Sequence, residues 1–160
     1  KTTPETSLSK VHWTKEQLLI FTFQLYKMPQ KKLHIIIAED DEDDADVISE
    51  IFNNNPSFAK VSLVANGEEL LHFLKNAANE NPDVILTDIN MPILNGIEAL
   101  QEILNNNDHK NIPCFVYSTS INPSYKEKCD VLCVKGYLIK PYSYEAFAEI
   151  PKTILSSIEE

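Results

Sequence analysis

Side chains able to handle a phosphoryl group stand at the ends of four short hydrophobic runs. They are Glu39 with Asp40, then Asp88, Ser118 and Lys140. Carboxylates are the ligands that hard divalent cations prefer, and one carboxylate can also act as a nucleophile. A hydroxyl and an ammonium group can donate hydrogen bonds to phosphoryl oxygens. This combination favours metal-dependent phosphoryl transfer.

The hydrophobic runs that precede these residues have the length and composition of buried β-strands. Stretches with helical apolar spacing separate them, and an alternation of this kind predicts an α/β fold with a parallel sheet. The carboxyl ends of parallel strands lie along one edge of the sheet, so residues a hundred positions apart can meet there. The predicted strands are 33–38, 60–65, 83–88, 113–118 and 136–140.

The predicted helices follow the strands, and the last of them contains a proline. Its apolar stripe begins near Ser143 and continues to Ile158, with Pro151 between. Proline inside a helix removes a backbone hydrogen bond and costs about 3 kcal/mol. We therefore expect this helix to be bent or split.

Length and charge restrict the classes of protein to consider. The chain has 160 residues, enough for one domain with a core of ordinary size, and carries a formal net charge of -10. That charge would repel nucleic acid, so no nucleic-acid partner is expected. No apolar stretch is long enough to span a bilayer, so no membrane partner is expected either. The odd set of Cys114, Cys129 and Cys133 without a secretory signal favours reduced thiols in the cytoplasm.

Residues 1–31 differ from the rest of the chain. Thr14 and Gln17 have the spacing of a capping box ahead of an apolar stretch, which predicts one amphipathic helix. Met28 stands just before the first predicted strand and is a plausible natural start. We expect 1–31 to be an N-terminal extension and 32–160 to be the functional domain.

Glycine-rich phosphate loops are absent from the sequence. Only Gly67, Gly96 and Gly136 occur, and they form neither a G-x-G-x-x-G nor a G-x-x-x-x-G-K-[ST] motif. The absence of both motifs argues against a dinucleotide-dependent enzyme and against a nucleoside triphosphatase.

Several carboxylates at one sheet edge repel each other unless a cation is near. At about 5 Å and an effective dielectric constant of about 20, each pair of like charges costs roughly 3 kcal/mol. Oxygen ligands of this kind predict Mg²⁺. A simpler reading of the acids near the first helix is that Asp43 or Asp44 caps it.

Four segments resemble the receiver domain of two-component response regulators, the CheY-like family. They are 35–41 with the acidic cluster, 82–92 with the third strand and its loop, 112–119 with the fourth strand, and 136–141 with the fifth. The resemblance covers about residues 33–158. It implies a flavodoxin-like, doubly wound sheet of five parallel strands in the order 2-1-3-4-5, with helices on both faces.

The resemblance also implies a phosphoacceptor and a metal site. Asp88 would accept the phosphoryl group as an acyl phosphate. The metal would be held by Glu39, Asp40 and Asp88 together with the backbone carbonyl of Asn90.

Phosphoryl-binding and switch roles follow from the same resemblance. Ser118, Lys140 and the backbone amide of Thr119 would bind phosphoryl oxygens. Tyr137 would be the aromatic residue whose position reports the state of Ser118. The peptide bond from Lys140 to Pro141 is expected to be cis.

A receiver of this kind would be a signalling domain and not a turnover enzyme on an external substrate. It would take phosphate from a sensor histidine kinase or a phosphotransfer protein, act on an unknown downstream protein, and exist as a monomer or weak dimer. The alternative is a phosphatase similar to haloacid dehalogenases, which also uses an aspartate and Mg²⁺. That family has a second acid two positions after its nucleophile, whereas Asn90 stands two positions after Asp88 and cannot donate a proton as an acid does.

Overall fold

The computed structural model describes residues 14–20, 31–76, 80–120 and 122–159. The chain divides into two units, Lys1–Lys31 and Lys32–Glu160. In the first unit, residues 15–20 are helical. The backbone amide of Thr14 donates to Gln17 Oε1 at 3.0 Å, and the amide of Gln17 donates to Thr14 Oγ1 at 3.1 Å. The predicted capping box is therefore confirmed, while the rest of the predicted helical stretch lies outside the described residues.

The second unit contains one sheet of five parallel strands in the order β2-β1-β3-β4-β5, as expected. The strands are β1 (Leu33–Ala38), β2 (Phe58–Val64), β3 (Val84–Asp88), β4 (Cys114–Ser118) and β5 (Gly136–Ile139). Their bounds agree with the predicted ones within one residue, except that β2 begins two residues early. Phe58 extends this strand because its ring packs edge-on against Phe52, with centroids 4.8 Å apart.

Helices follow the strands along the chain. They are α1 (Glu42–Asn53), α2 (Gly67–Asn76), α3 (Gly96–Asn105), α4 (Pro123–Leu132), α5 (Tyr144–Phe147) and α6 (Ile150–Ile158). The last predicted helix is split into α5 and α6, and Pro151 lies in the first turn of α6, where its missing amide breaks no helical bond. The prediction from Pro151 is thereby confirmed. No helix in the described part of the chain is long and apolar enough to cross a membrane.

Both faces of the sheet are buried by helices. Ile36 and Ala38 of β1 pack on the side covered by α2 and α3, together with Cys129 of α4. Ile35 and Ile37 point to the opposite side, which α1, α5 and α6 cover. Period-two alternation with apolar residues on both faces is what a doubly wound parallel sheet requires. Because apolar side chains and helices cover both faces of the sheet, polar side chains can gather at the ends of the strands.

Candidate functional site

The carboxyl ends of four strands bring the predicted residues to one edge of the sheet. Glu39 follows β1, Asp88 ends β3, Ser118 ends β4 and Lys140 follows β5. All four are buried, whereas Asp40 is exposed. Buried charges persist in proteins only where they are paired or hydrogen-bonded, so their partners define the site.

Lys140 lies at the centre of the charged cluster. Its Nζ is 2.7 Å from Glu39 Oε2 and 2.9 Å from Oε1 of the same residue. It is also 3.0 Å from Asp44 Oδ2 and 3.0 Å from Asp88 Oδ2. Three carboxylates therefore converge on one ammonium group. Burial lowers the pKa of Lys140, but the hydrogen bonds to Glu39 and Asp44 and the charges of Asp88 and Glu39 outweigh burial, so the net shift of this pKa is upward.

Glu39 is held by more donors than the lysine alone. The hydroxyl of Tyr117 donates to Glu39 Oε2, and the backbone amide of Asp41 donates to Oε1 at 3.2 Å. Burial raises the pKa of Glu39, and the hydrogen bonds from Lys140 and Tyr117 act against that shift. The pKa of Tyr117 is raised by burial and by the negative charge of Glu39, so its hydroxyl stays a neutral donor.

Asp88 is oriented by the loop that follows β3. Its Oδ1 accepts from the backbone amide of Ile89 at 2.5 Å and faces that of Asn90 at 3.4 Å. Its Oδ2 faces Lys140 at 3.0 Å. The amides fix one oxygen and the ammonium group attracts the other, so the carboxylate is oriented before any ligand arrives.

A glycine permits the close approach of α3 to Asp88. A Cβ atom on Gly96 would lie 1.9 Å from the backbone oxygen of Asp88 and 2.8 Å from Thr87 Oγ1. Asn95 caps the helix: its Oδ1 accepts from the backbone amide of Glu98 at 3.0 Å, and its own backbone amide donates to Glu98 Oε2 at 3.4 Å. The loop between β3 and α3 is thus anchored at both ends.

Three acids have the spacing of a metal site. One carboxylate oxygen from each of Glu39, Asp40 and Asp88 lies within 4.8 Å of the others. An all-oxygen donor set of this kind fits a hard divalent cation such as Mg²⁺, which also retains water ligands. Asn90 lies two residues beyond Asp88 in the same loop and is exposed.

The predicted phosphoryl-binding residues lie on the neighbouring strands. Asp88 pairs with Tyr117 in the sheet, so Ser118 lies one position further along β4. Thr119 follows and is exposed. Tyr137 in β5 is half-buried, and its hydroxyl donates to the backbone oxygen of Ser120 at 3.0 Å. The side chain of Tyr137 is therefore hydrogen-bonded to the loop that follows Ser118.

The prediction of a cis bond between Lys140 and Pro141 is wrong, because that peptide is trans. The backbone amide of Lys140 still donates to the Ser118 oxygen at 2.8 Å. The pairing with β4 therefore continues to Lys140, and its side chain reaches the carboxylates directly from the strand end.

Sequence reasoning missed the contacts of two site residues, Asp44 and Tyr117, and it was wrong to expect Asp43 or Asp44 as the cap of α1. Asp41 caps α1, because its Oδ1 accepts from the Asp44 amide at 3.0 Å, whereas Asp44 was expected to be a possible cap and binds Lys140 instead. Tyr117 was treated only as a strand residue. A signal was available, since a tyrosine in a fully buried strand needs a partner for its hydroxyl.

Comparison with known proteins identifies the family. The model of the response regulator receiver domain matches residues 35–151, so the chain belongs to this family. It is a receiver domain of the two-component type, as the sequence motifs indicated. Receiver domains accept phosphoryl groups from histidine kinases and bind Mg²⁺ or Mn²⁺ at an acidic pocket. Nothing in the comparisons supports a phosphatase similar to haloacid dehalogenases.

Two curated relatives illustrate how far the similarity extends. The sensory transduction protein LytT of Oceanobacillus iheyensis is 32% identical over 116 residues, which cover 72% of this chain and 45% of that protein. The transcriptional regulatory protein DegU of Brevibacillus brevis is 30% identical over 125 residues, covering 78% and 51%. The chain spans about half the length of these relatives.

Solved structures show the same fold. The phosphorylated cyanobacterial phytochrome response regulator RcpA has a TM-score of 0.72 and 32% identity, covering 77% of this chain and 91% of that one. The Mn²⁺-bound form of response regulator Rcp1 has a TM-score of 0.69 and 27% identity, covering 78% and 92%.

Proposed function

We propose that this receiver accepts a phosphoryl group on Asp88. The observation that carries the proposal is the position of Asp88 between the acids that could hold a metal and the ammonium group of Lys140. An Asp88 oxygen would attack the phosphorus of a phosphohistidine on a sensor kinase or phosphotransfer protein. The new P–O bond forms as the P–N bond breaks, and the imidazole nitrogen keeps the electron pair and takes a proton from solvent.

The residues that would hold Mg²⁺ are the carboxylates of Glu39, Asp40 and Asp88, with the backbone carbonyl of Asn90. Support comes from the spacing of the three acids and from the location of Asn90 in the same loop. When bound, the ion would neutralise charge on the phosphoryl oxygens. The acids themselves would be relieved of mutual repulsion.

Donors on β4 and β5 would bind the transferred group. Lys140 would offer its ammonium group, Ser118 its hydroxyl and Thr119 its backbone amide. Lys140 already contacts the acceptor at 3.0 Å, which supports its role most directly. Phosphate brings about two negative charges and three acceptor oxygens to the site, and charge-assisted bonds to them are stronger than neutral ones.

The phosphorylated form would signal through a changed surface. Ser118 would be drawn toward the phosphoryl oxygens, and Tyr137 would move because its hydroxyl bonds to the loop after Ser118. The output would be docking to a downstream protein or passage of the phosphoryl group along a relay, without turnover of an external substrate. The domain would act as a monomer or weak dimer, and its chemistry would reside in 32–160. Three free thiols suit a cytoplasmic setting.

The experiment compares the parent with Asp88→Asn after incubation with acetyl phosphate and Mg²⁺. Because the substitution removes the nucleophile at nearly constant volume, intact mass should show one added phosphate on the parent and none on the variant. Asp108→Asn makes the same chemical change on the exposed segment after α3 and should behave as the parent. Equal phosphorylation of Asp88→Asn and the parent would contradict the proposal.

A further inference from the structure

Lys140 contacts three carboxylates, and the proposed reaction uses only two of them. Glu39 would join the metal, and Asp88 would become the phosphorylated residue. The third, Asp44, belongs to the first turn of α1 and lies 3.0 Å from Lys140 Nζ. It is outside the group of acids with metal-site spacing. Among these three carboxylates, Asp44 is therefore the one that the proposed reaction leaves unchanged.

The location of Asp44 suits a fixed partner for the lysine. Its backbone amide is bonded to the Asp41 cap at 3.0 Å, which fixes where the helix turn begins. Its side chain is 34% exposed, against 0% for Glu39 and 10% for Asp88. The carboxylate therefore lies at the outer side of the cluster, where a ligand would enter.

The ring of Tyr117 limits the positions open to the ammonium group from another side. Lys140 Nζ lies 4.9 Å from the ring centroid, within the distance of a cation–π contact. The Tyr117 hydroxyl is engaged with Glu39. With the ring on one side and Asp44 on another, Lys140 would keep two partners beside Asp88 if Glu39 turned to a metal.

The number of hydrogen-bond donors on Lys140 allows it to bind Asp44 and phosphoryl oxygens at the same time. An ammonium group has three N–H donors, and three carboxylates surround it. If a metal and a phosphoryl group engage Glu39 and Asp88, two donors become available for phosphoryl oxygens while one stays on Asp44. Without Asp44, the lysine would depend on the two carboxylates that the metal and the phosphoryl group need.

We propose that Asp44 is a positioning residue that holds the Lys140 ammonium group beside the phosphoryl site. The inference rests on the proposed function. The helix dipole favours acidic residues in the first turn of α1, and this applies equally to Glu42, Asp43 and Asp44. The contact with Lys140 distinguishes Asp44 from Asp43, which is exposed and has the same charge one position earlier.

The test uses the full chain with saturating Mg²⁺ and titrates beryllofluoride, a phosphoryl mimic, followed by amide NMR. Asp44→Asn should bind it about tenfold more weakly than the parent, since one charge-assisted contact of the lysine is lost. Asp43→Asn is the matched control and should stay within about twofold, because an exposed charge is screened. Asp44→Glu restores the carboxylate and should recover most of the affinity. Thermal unfolding without metal checks that all variants are folded.

Three outcomes are decisive. If Asp44→Asn binds beryllofluoride as Asp43→Asn does, Asp44 does not position the lysine and the inference is overturned. If Asp44→Glu is as weak as Asp44→Asn, the carboxylate is not what matters, and the inference fails as well. If the parent binds no beryllofluoride and gains no phosphate, the proposed function itself has failed, which is a different result from either of these.

Discussion

Ile93 has a backbone conformation that β-branched residues rarely adopt. Its φ is 67°, in the left-handed region, and its side chain is 77% exposed. The left-handed conformation costs an L-residue about 1–2 kcal/mol, and a β-branched side chain adds crowding. Since the side chain is mostly in solvent, little packing offsets this cost. Asparagine tolerates the same conformation because its short polar side chain can bond locally.

We therefore expect Ile93→Asn to raise the free energy of unfolding by about 1 kcal/mol, which corresponds to roughly 2–4 °C in Tm. Denaturant and thermal unfolding measure the change. Ile139→Asn is the matched control, because Ile139 is also exposed but lies in β5 without a positive φ. Asparagine is unfavourable in strands, so the control should lose stability. A loss of stability in Ile93→Asn would show that contacts of the isoleucine outweigh the backbone cost.

At the scale of elements, β4, α4 and β5 form the segment through which phosphorylation would be transmitted. Ser118 ends β4, Tyr137 lies in β5, and the hydroxyl of Tyr137 bonds to the backbone oxygen of Ser120 at 3.0 Å. α4 between them is weakly amphipathic and has Cys129 as its one buried residue. A segment with little buried apolar surface can rearrange at small free-energy cost.

Beryllofluoride with Mg²⁺ should change hydrogen exchange across residues 118–137. Binding would draw Ser118 toward the mimic and break or shift the bond from Tyr137 to Ser120. Tyr137→Phe removes that bond beforehand, so without ligand its loop after β4 should exchange faster than in the parent. Asp88→Asn with the same additives serves as the blank. Changes restricted to the neighbours of Asp88, with α4 and Tyr137 unaffected, would mean that the site holds phosphate without transmitting it.

Sequence patterns sufficed for most elements because their periods are strong. β1 is apolar apart from His34 and was predicted with its bounds, and Pro151 correctly indicated the split between α5 and α6. The early start of β2 was missed because it depends on Phe58 packing against Phe52, a contact between separate elements. Local periodicity carries no information about such tertiary contacts.

For the whole molecule, the strand order turned a scattered set of residues into one site. Glu39, Asp88 and Lys140 were placed together from the sequence because parallel strands share one edge for their carboxyl ends. Asp44 and Tyr117 could not be placed in the same way. The contact of Asp44 with Lys140 depends on how α1 is rotated about its axis against the sheet. The contact of the Tyr117 hydroxyl with Glu39 depends on the face of the sheet to which the side chain points. Both are set by tertiary packing.

The central claim is that Asp88 and no other residue carries the phosphoryl group, and chemical trapping tests it most directly. After incubation with acetyl phosphate and Mg²⁺, borohydride reduces an acyl phosphate on aspartate to homoserine, and peptide mass spectrometry locates the change. We expect homoserine at position 88, and none when either Mg²⁺ or the phosphodonor is omitted. Homoserine at Asp40, Asp44 or another acid, with Asp88 unmodified, would contradict the account.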